Sequence, residues 1–228
     1  MSLEAVVFDV DFTLAKPGPD LGPEGYQRLG ARFGLELEPS RYDQARRDAI
    51  ATLKRHPELD HDEEVWVQFT ERIIQGMGGE GDTYACAVEM TYAWESAEHF
   101  ELYEDVLPVL DEVRAHGLKL GLLSNTSRDL DVFVAHHGIE VEALLTSRTH
   151  GKTKPHEAIF RSMLERLAVA PAAAVMVGDD PNDDVGGASA VGMEAWLVDR
   201  DGRFPQHPQR LTDLRALPAA LGLVTESR

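Results

Sequence analysis

The chain has 228 residues, 43% of them hydrophobic, a formal net charge of -18 and a single cysteine, Cys86. That apolar content excludes wholesale disorder, and no apolar run reaches the ~18 residues of a membrane span. An internal disulfide is excluded, a reducing cytoplasmic setting is expected, and so negative a surface would repel a phosphate backbone, so no nucleic-acid partner is expected.

The N-terminal stretch lacks the basic region of an export signal. Ala5 to Phe8 is apolar, rich in β-branched residues and ends at Asp9, which predicts a buried strand. Residues 15–23 are rich in Pro and Gly and read as a loop. From Pro23 to His99 the texture turns helical, with segments 24–34, 40–55, 62–75 and 83–96 broken at Gly34, Pro57 and Gly76 to Gly79. This reads as an insert. Strands and helices then alternate: helix Val106–Ala115, strand Leu118–Leu123, helix Arg128–His137, strand Ala143–Thr146, helix Pro155–Leu167, strand Ala173–Val177, helix Asn182–Val191 and strand Ala195–Val198. Alternation of this kind predicts an α/β fold, a doubly wound parallel sheet with crossover helices on both faces.

Three polar clusters follow directly on predicted strands: Asp9-Val10-Asp11-Phe12-Thr13, then Ser124-Asn125, then Gly178-Asp179 through Asp184. Lys154-Pro155 stands where a loop enters a helix. Any one of these would be an ordinary turn or helix cap. Together they can converge, because the carboxyl ends of parallel strands lie side by side and are where such sheets bind ligands. Carboxylates gathered at one point repel each other, and a divalent cation resolves the repulsion. An all-oxygen donor set suits magnesium.

In these four clusters the sequence resembles the haloacid dehalogenase-like hydrolase superfamily. Asp9, Asp11 and Thr13 match its Asp-x-Asp-x-Thr motif; Ser124, with Asn125 behind it, matches its strand-ending Ser or Thr; Lys154-Pro155 matches its lysine; Gly178-Asp179 with Asp184 matches its acidic motif. The departures are Phe12 where Gly is commoner, His156 where Asp is more usual, and Asp183 where Asn is frequent. The resemblance implies an α/β core over residues 1–14 and 101–228, with a helical cap over 15–100 inserted after the first strand.

It also implies hydrolysis of a small phosphorylated metabolite. Asp9 would attack phosphorus and become an aspartyl phosphate, while Asp11 would act as general acid and then base. Magnesium would be held by Asp9, Asp11 (through its backbone carbonyl) and Asp179. Ser124, Asn125 and Lys154 would hold the phosphoryl oxygens, with Thr13 and Asp184 supporting and Asp184 orienting Lys154 or a water on the metal. Substrate choice would lie in the cap, where Arg46, Arg47, Lys54, Arg55 and Trp66 are candidates.

Rival readings share the core. A 2-haloacid dehalogenase has no need of Asp11, since halide leaves without a proton. A phosphonate hydrolase needs a cap lysine, and only Lys54 is available between residues 17 and 100. A sugar phosphomutase differs mainly in how well it excludes water. A silent binding module would not need every catalytic group intact. Gly151-Lys152-Thr153 is not a P-loop end, because Thr146 stands where that loop needs Gly. Asp179 to Asp184 lacks the Gly and Glu of an EF-hand, and the histidines show no zinc spacing. Cys86 lies within a predicted helix and reads as a packing residue.

Overall fold

The structure is a computed structural model and describes residues 2–223. Strand β1 (Ala5–Phe8) is buried along its whole length. The chain then forms β2 (Ala15–Pro17) and passes through four helices: α1 (Pro23–Arg32), α2 (Tyr42–Ala51), α3 (Glu63–Gly76) and α4 (Thr83–Glu95). It returns in β3 (Phe100–Leu102), which pairs with β2 as a two-stranded sheet. Next come α5 (Val106–Ala115), β4 (Lys119–Ser124), α6 (Leu130–His137), β5 (Ala143–Thr146), α7 (Ser147–His150) and α8 (Glu157–Leu167). Then follow β6 (Ala174–Gly178), a π-helical turn (Pro181–Gly186) running into α9 (Gly187–Ala190), β7 (Glu194–Val198), β8 (Arg210–Leu211) and α10 (Leu217–Ala220).

Six strands make one sheet in the order β5-β4-β1-β6-β7-β8, every pair parallel. From β1 the sequence runs outward through β4 and β5, then crosses back to β6 on the other side of β1. The winding direction therefore reverses at β1, and such a switch point opens a ligand crevice beyond the strand's carboxyl end. Asp9 follows β1 immediately. Side chains alternate across the sheet. Ala5, Val7, Ala174 and Met176 share one apolar cluster with Phe160, Met163 and Leu167 of α8. Each such fully buried large side chain contributes roughly 1.5–3 kcal/mol.

The chain divides into two compact units. One carries the six-stranded sheet and comprises the residues up to Lys16, Leu102–Thr126 and those from Val134 onward. The other comprises Pro17–Glu101 and Ser127–Phe133. In this helical unit α3 buries Val67, Thr70, Ile73 and Ile74, a stripe at helical spacing. Its first turn is capped by Asp62, which accepts from Glu64 N–H at 3.0 Å, and Asp82 caps α4 in the same way. Gly76 lets α2 approach α3: a Cβ there would stand 2.6 Å from that of Ala45.

The predicted elements are present, with differences at their ends. Residues 15–17 are a strand and not loop, and β3 and β8 were not foreseen. All three are two or three residues long, too short to show a period of two. The helix expected over 182–191 starts as a π-turn, and Asp180 caps its opening by accepting from the N–H groups of Asn182 and Asp183. No main-sheet strand lies between residues 24 and 96. Among the described residues no helix is long and apolar enough to cross a membrane.

Candidate active site

Asp9 leaves the carboxyl end of β1 buried, and both of its carboxylate oxygens are held. Oδ2 accepts from the Thr13 hydroxyl at 3.1 Å, and Oδ1 accepts from Lys154 Nζ at 2.6 Å. Thr13 can reach back because the chain turns sharply: the N–H groups of Leu14 and Ala15 both donate to Val10 O. Phe12 carries this turn in the left-handed region, with φ of 65°, where a side chain is strained and Gly is not.

Lys154 is buried and is shared between two carboxylates, its Nζ also lying 2.6 Å from Asp184 Oδ1. Its backbone is fixed by Asn125, which accepts from Lys154 N–H at 2.7 Å and donates to Lys154 O at 3.0 Å. Asn125 also donates to Asp183 Oδ2 at 3.3 Å. Asp184 reaches the lysine from the turn after β6, where its other oxygen accepts from Asp180 N–H at 3.0 Å. Gly178 is required beneath it, since a Cβ at that position would overlap the Asp184 carboxylate at 2.1 Å.

Asp9, Asp179 and Asp184 each offer a carboxylate oxygen, and these atoms lie within 4.8 Å of one another. Burial raises the Asp9 carboxyl well above the usual carboxylate range against the lowering charge of Lys154, with Asp184 and Asp179 raising it further. Burial raises Asp184 as well, again opposed by Lys154. Asp179 is pushed up to about 7, by burial first and by the charge of Asp184 second, while Arg203 pulls it down. Burial alone would lower Lys154, but the charges of Asp184 and Asp9 hold it well above the ordinary lysine value. The three carboxylates therefore repel one another and are not fully neutralised by one lysine. A hard divalent cation suits this oxygen donor set.

The remaining predicted residues are placed as follows. Asp11 is half-buried, its backbone bridged to Ala15, and its side chain is not one of the three clustered carboxylates. Ser124 ends β4, buried and in register with Thr146. In the helical unit Arg47, Lys54 and Arg55 are exposed and Arg46 and Trp66 half-buried. Cys86 is buried and free.

Sequence reasoning missed the segment after β7. Arg203 Nη2 donates to Asp179 Oδ2 at 2.9 Å. Arg200 donates to Thr13 O at 2.8 Å and to both oxygens of Asp105 at 3.0 Å, with its guanidinium over the Tyr103 ring. The rule that singled out the other clusters, polar residues directly beyond a strand's carboxyl end, points equally to Asp199 and Arg200 after Val198.

Residues 3–192 match the haloacid dehalogenase-like hydrolase family. The chain is 36% identical to a phosphoserine phosphatase of Thermus thermophilus over 64% of its own length and 61% of the relative's. It is 30% identical to a ribulose-1,5-bisphosphate 5-phosphatase of Halopiger xanaduensis over 86% and 84% of the two chains. In three dimensions it resembles a haloacid dehalogenase-type phosphatase of Thermococcus onnurineus, with a TM-score of 0.67, 25% identity and coverage of 96% and 98%. The chain belongs to the haloacid dehalogenase-like hydrolase family and is a hydrolytic enzyme.

Proposed function

We propose that this enzyme hydrolyses a small phosphate monoester by transferring the phosphoryl group to Asp9. The observation that carries this reading is the fixing of Asp9 on both oxygens, by Thr13 and by Lys154. A nucleophile so held loses little further freedom on reaction. In the first step an Asp9 oxygen bonds to phosphorus while the bond to the leaving oxygen breaks, and Asp11 gives that oxygen its proton. In the second, Asp11 takes a proton from water, which attacks phosphorus and releases inorganic phosphate and free Asp9. Lys154, Ser124 and the Asn125 backbone N–H stabilise the phosphoryl oxygens, the Asn125 side chain being spent on Lys154 and Asp183, and Asp184 keeps Lys154 charged and aimed.

Asp9, Asp179 and the Asp11 carbonyl would hold magnesium, with Asp184 beside them. When bound, the cation supplies positive charge that offsets the repulsion between Asp9 and the anionic substrate. The Pro17–Glu101 part of the helical unit, inserted between the first and second motifs, is assigned the role of a cap that sets substrate choice. A small metabolite fits this arrangement better than a folded phosphoprotein, and the enzyme is assigned to the cytoplasm.

The test is trapping. Acid quenching during turnover, followed by borohydride reduction, should convert residue 9 to homoserine, read by mass spectrometry. Asp9→Asn should abolish both the label and the activity, and chelation should abolish activity reversibly. Phosphatase activity surviving exhaustive chelation, or a label on another residue, refutes the reading.

A further inference from the structure

We propose that Arg203 is a positioning residue for the metal centre, holding Asp179 in its liganding orientation, and that Asp199 in turn holds Arg203. The inference rests on Asp179 being a metal ligand, as proposed above. Asp179 belongs to a short turn after β6 and is partly exposed, its side chain retaining 18% of its accessible surface. Within the turn, Asp180 and Asp184 are anchored by backbone N–H groups. The hydrogen bond seen on the Asp179 carboxylate comes from outside the turn, from Arg203 Nη2 to Oδ2 at 2.9 Å. That contact leaves Oδ1 as the oxygen without a guanidinium against it.

Arg203 could reach Asp179 only if its own loop were fixed, and the structure shows what fixes it. Asp199, buried at the end of β7, accepts from Arg203 N–H at 2.7 Å on Oδ1. Its Oδ2 accepts from Phe204 N–H at 2.9 Å and from Arg210 Nε at 2.6 Å, tying the loop to β8. Residue 200, next in the chain, is clamped to Asp105 and to Thr13 O. Segment 199–204 is thus held at its base, while the Arg203 side chain is about half exposed at its end. An exposed ion pair made only for stability contributes little. A guanidinium on the outer oxygen of a metal ligand instead removes rotational freedom from that carboxylate, and such outer partners typically change metal affinity by about 10–100-fold.

Two physical effects oppose each other here, which makes the sign decisive. If Arg203 acts only as a positive charge, removing it strengthens cation binding at about pH 9, where Asp179 is ionised with or without the guanidinium, and the titrations are run there. If it positions Asp179, removing it weakens binding. Magnesium titrations of the metal-free full chain by calorimetry separate them. With Arg203→Ala the dissociation constant should rise about tenfold. Arg203→Lys, which keeps the charge without the planar fork, should fall between wild type and Arg203→Ala. The melting temperature of metal-free Arg203→Ala should stay within about 2 °C of wild type, because the lost contact is exposed. Asp199→Asn should weaken magnesium in the same direction, and the double variant should be no weaker than Arg203→Ala alone, since both act through one contact. Unchanged or tighter binding by Arg203→Ala overturns the proposal, as does an additive double variant. Asp179→Ala is the control: if it binds magnesium like wild type, Asp179 is not a ligand and the underlying reading fails with the inference. If Asp179→Ala weakens binding and Arg203→Ala does not, the inference alone fails.

Discussion

Lys154 Nζ stands 2.6 Å from Asp9 Oδ1 and 2.6 Å from Asp184 Oδ1, so one ammonium joins the carboxylates that follow β1 and β6. All three groups are buried. Removing one partner from such a group leaves uncompensated buried charge and typically costs about 3–5 kcal/mol. Lys154→Met should therefore destabilise the metal-free protein by roughly that amount in urea unfolding, as well as abolish turnover. Adding Asp184→Asn to Lys154→Met should restore part of the loss, because one of the stranded charges is gone. A double variant less stable than Lys154→Met would show that the lysine is not acting through Asp184.

Asp105 offers a pH test away from the reaction centre. It opens α5, and its carboxylate accepts from Arg200 and from Leu214 N–H at 2.7 Å. Burial would raise its pKa, but those hydrogen bonds and the Arg200 charge outweigh it and hold the group below its ordinary 3.8. A carboxyl lowered in the folded state contributes stability that is complete above its unfolded value and is lost as pH falls through the folded value. Asp105→Asn should thus be less stable than wild type at neutral pH, by about 2–3 kcal/mol. The gap should hold from pH 7 to about 5 and close as pH drops below about 4. Thermal melts of the two proteins at each pH measure it, and a gap that widens in acid contradicts the assignment.

Phe12 gives a reversed helix-former rule. Its φ of 65° penalises any side chain, by about 1–2 kcal/mol. Alanine normally exceeds glycine in stability through the unfolded state, by about 0.4–1 kcal/mol. Here the backbone strain should win, so Phe12→Gly should be more stable than Phe12→Ala by about 0.5–1 kcal/mol. Both variants lose the ring, so their difference isolates the backbone. If Phe12→Ala is the more stable, the turn does not hold residue 12 in the left-handed region.

The sheet was legible because Ala-Val-Val-Phe before Asp9, Leu-Leu before Ser124 and Val-Met-Val before Gly178 are short apolar runs, each ending in polar residues and alternating with helical segments. That pattern places Asp9, Ser124 and Asp179 at one carboxyl edge, since parallel strands share it, whereas Lys154 stands where a loop enters α8 and was legible only through its place among the motifs. Arg203 was not legible because it lies five residues past Val198, the end of β7, and its reach depends on how Asp199 folds the loop. The φ of Phe12 was not legible either, because a phenylalanine gives no local sign of a left-handed turn. The short strands β2 and β3 escaped because three residues of backbone pairing leave no periodic trace.

Asp11 carries two proposed duties, and the leaving group can separate them. p-Nitrophenolate is a stable anion and departs without a proton, whereas an alkoxide needs one. In Asp11→Asn, Asp9 keeps its contacts with Thr13 and Lys154 and should still attack p-nitrophenyl phosphate. The aspartyl phosphate should then persist, because no base remains to activate water. Stopped-flow absorbance should show a burst of nitrophenolate approaching about one equivalent per site, followed by slow turnover. Alkyl phosphates should give neither burst nor turnover, and the loss for a missing general acid–base is about 10²–10⁴-fold. Asp9→Asn should show no burst with either substrate, since the attacking oxygen is replaced. If Asp11→Asn hydrolyses alkyl phosphates at the wild-type rate, Asp11 is not the acid and base. If it loses the nitrophenyl burst while retaining its fold and magnesium binding, Asp11 serves the attack itself, and the division of labour between the two carboxylates has to be redrawn.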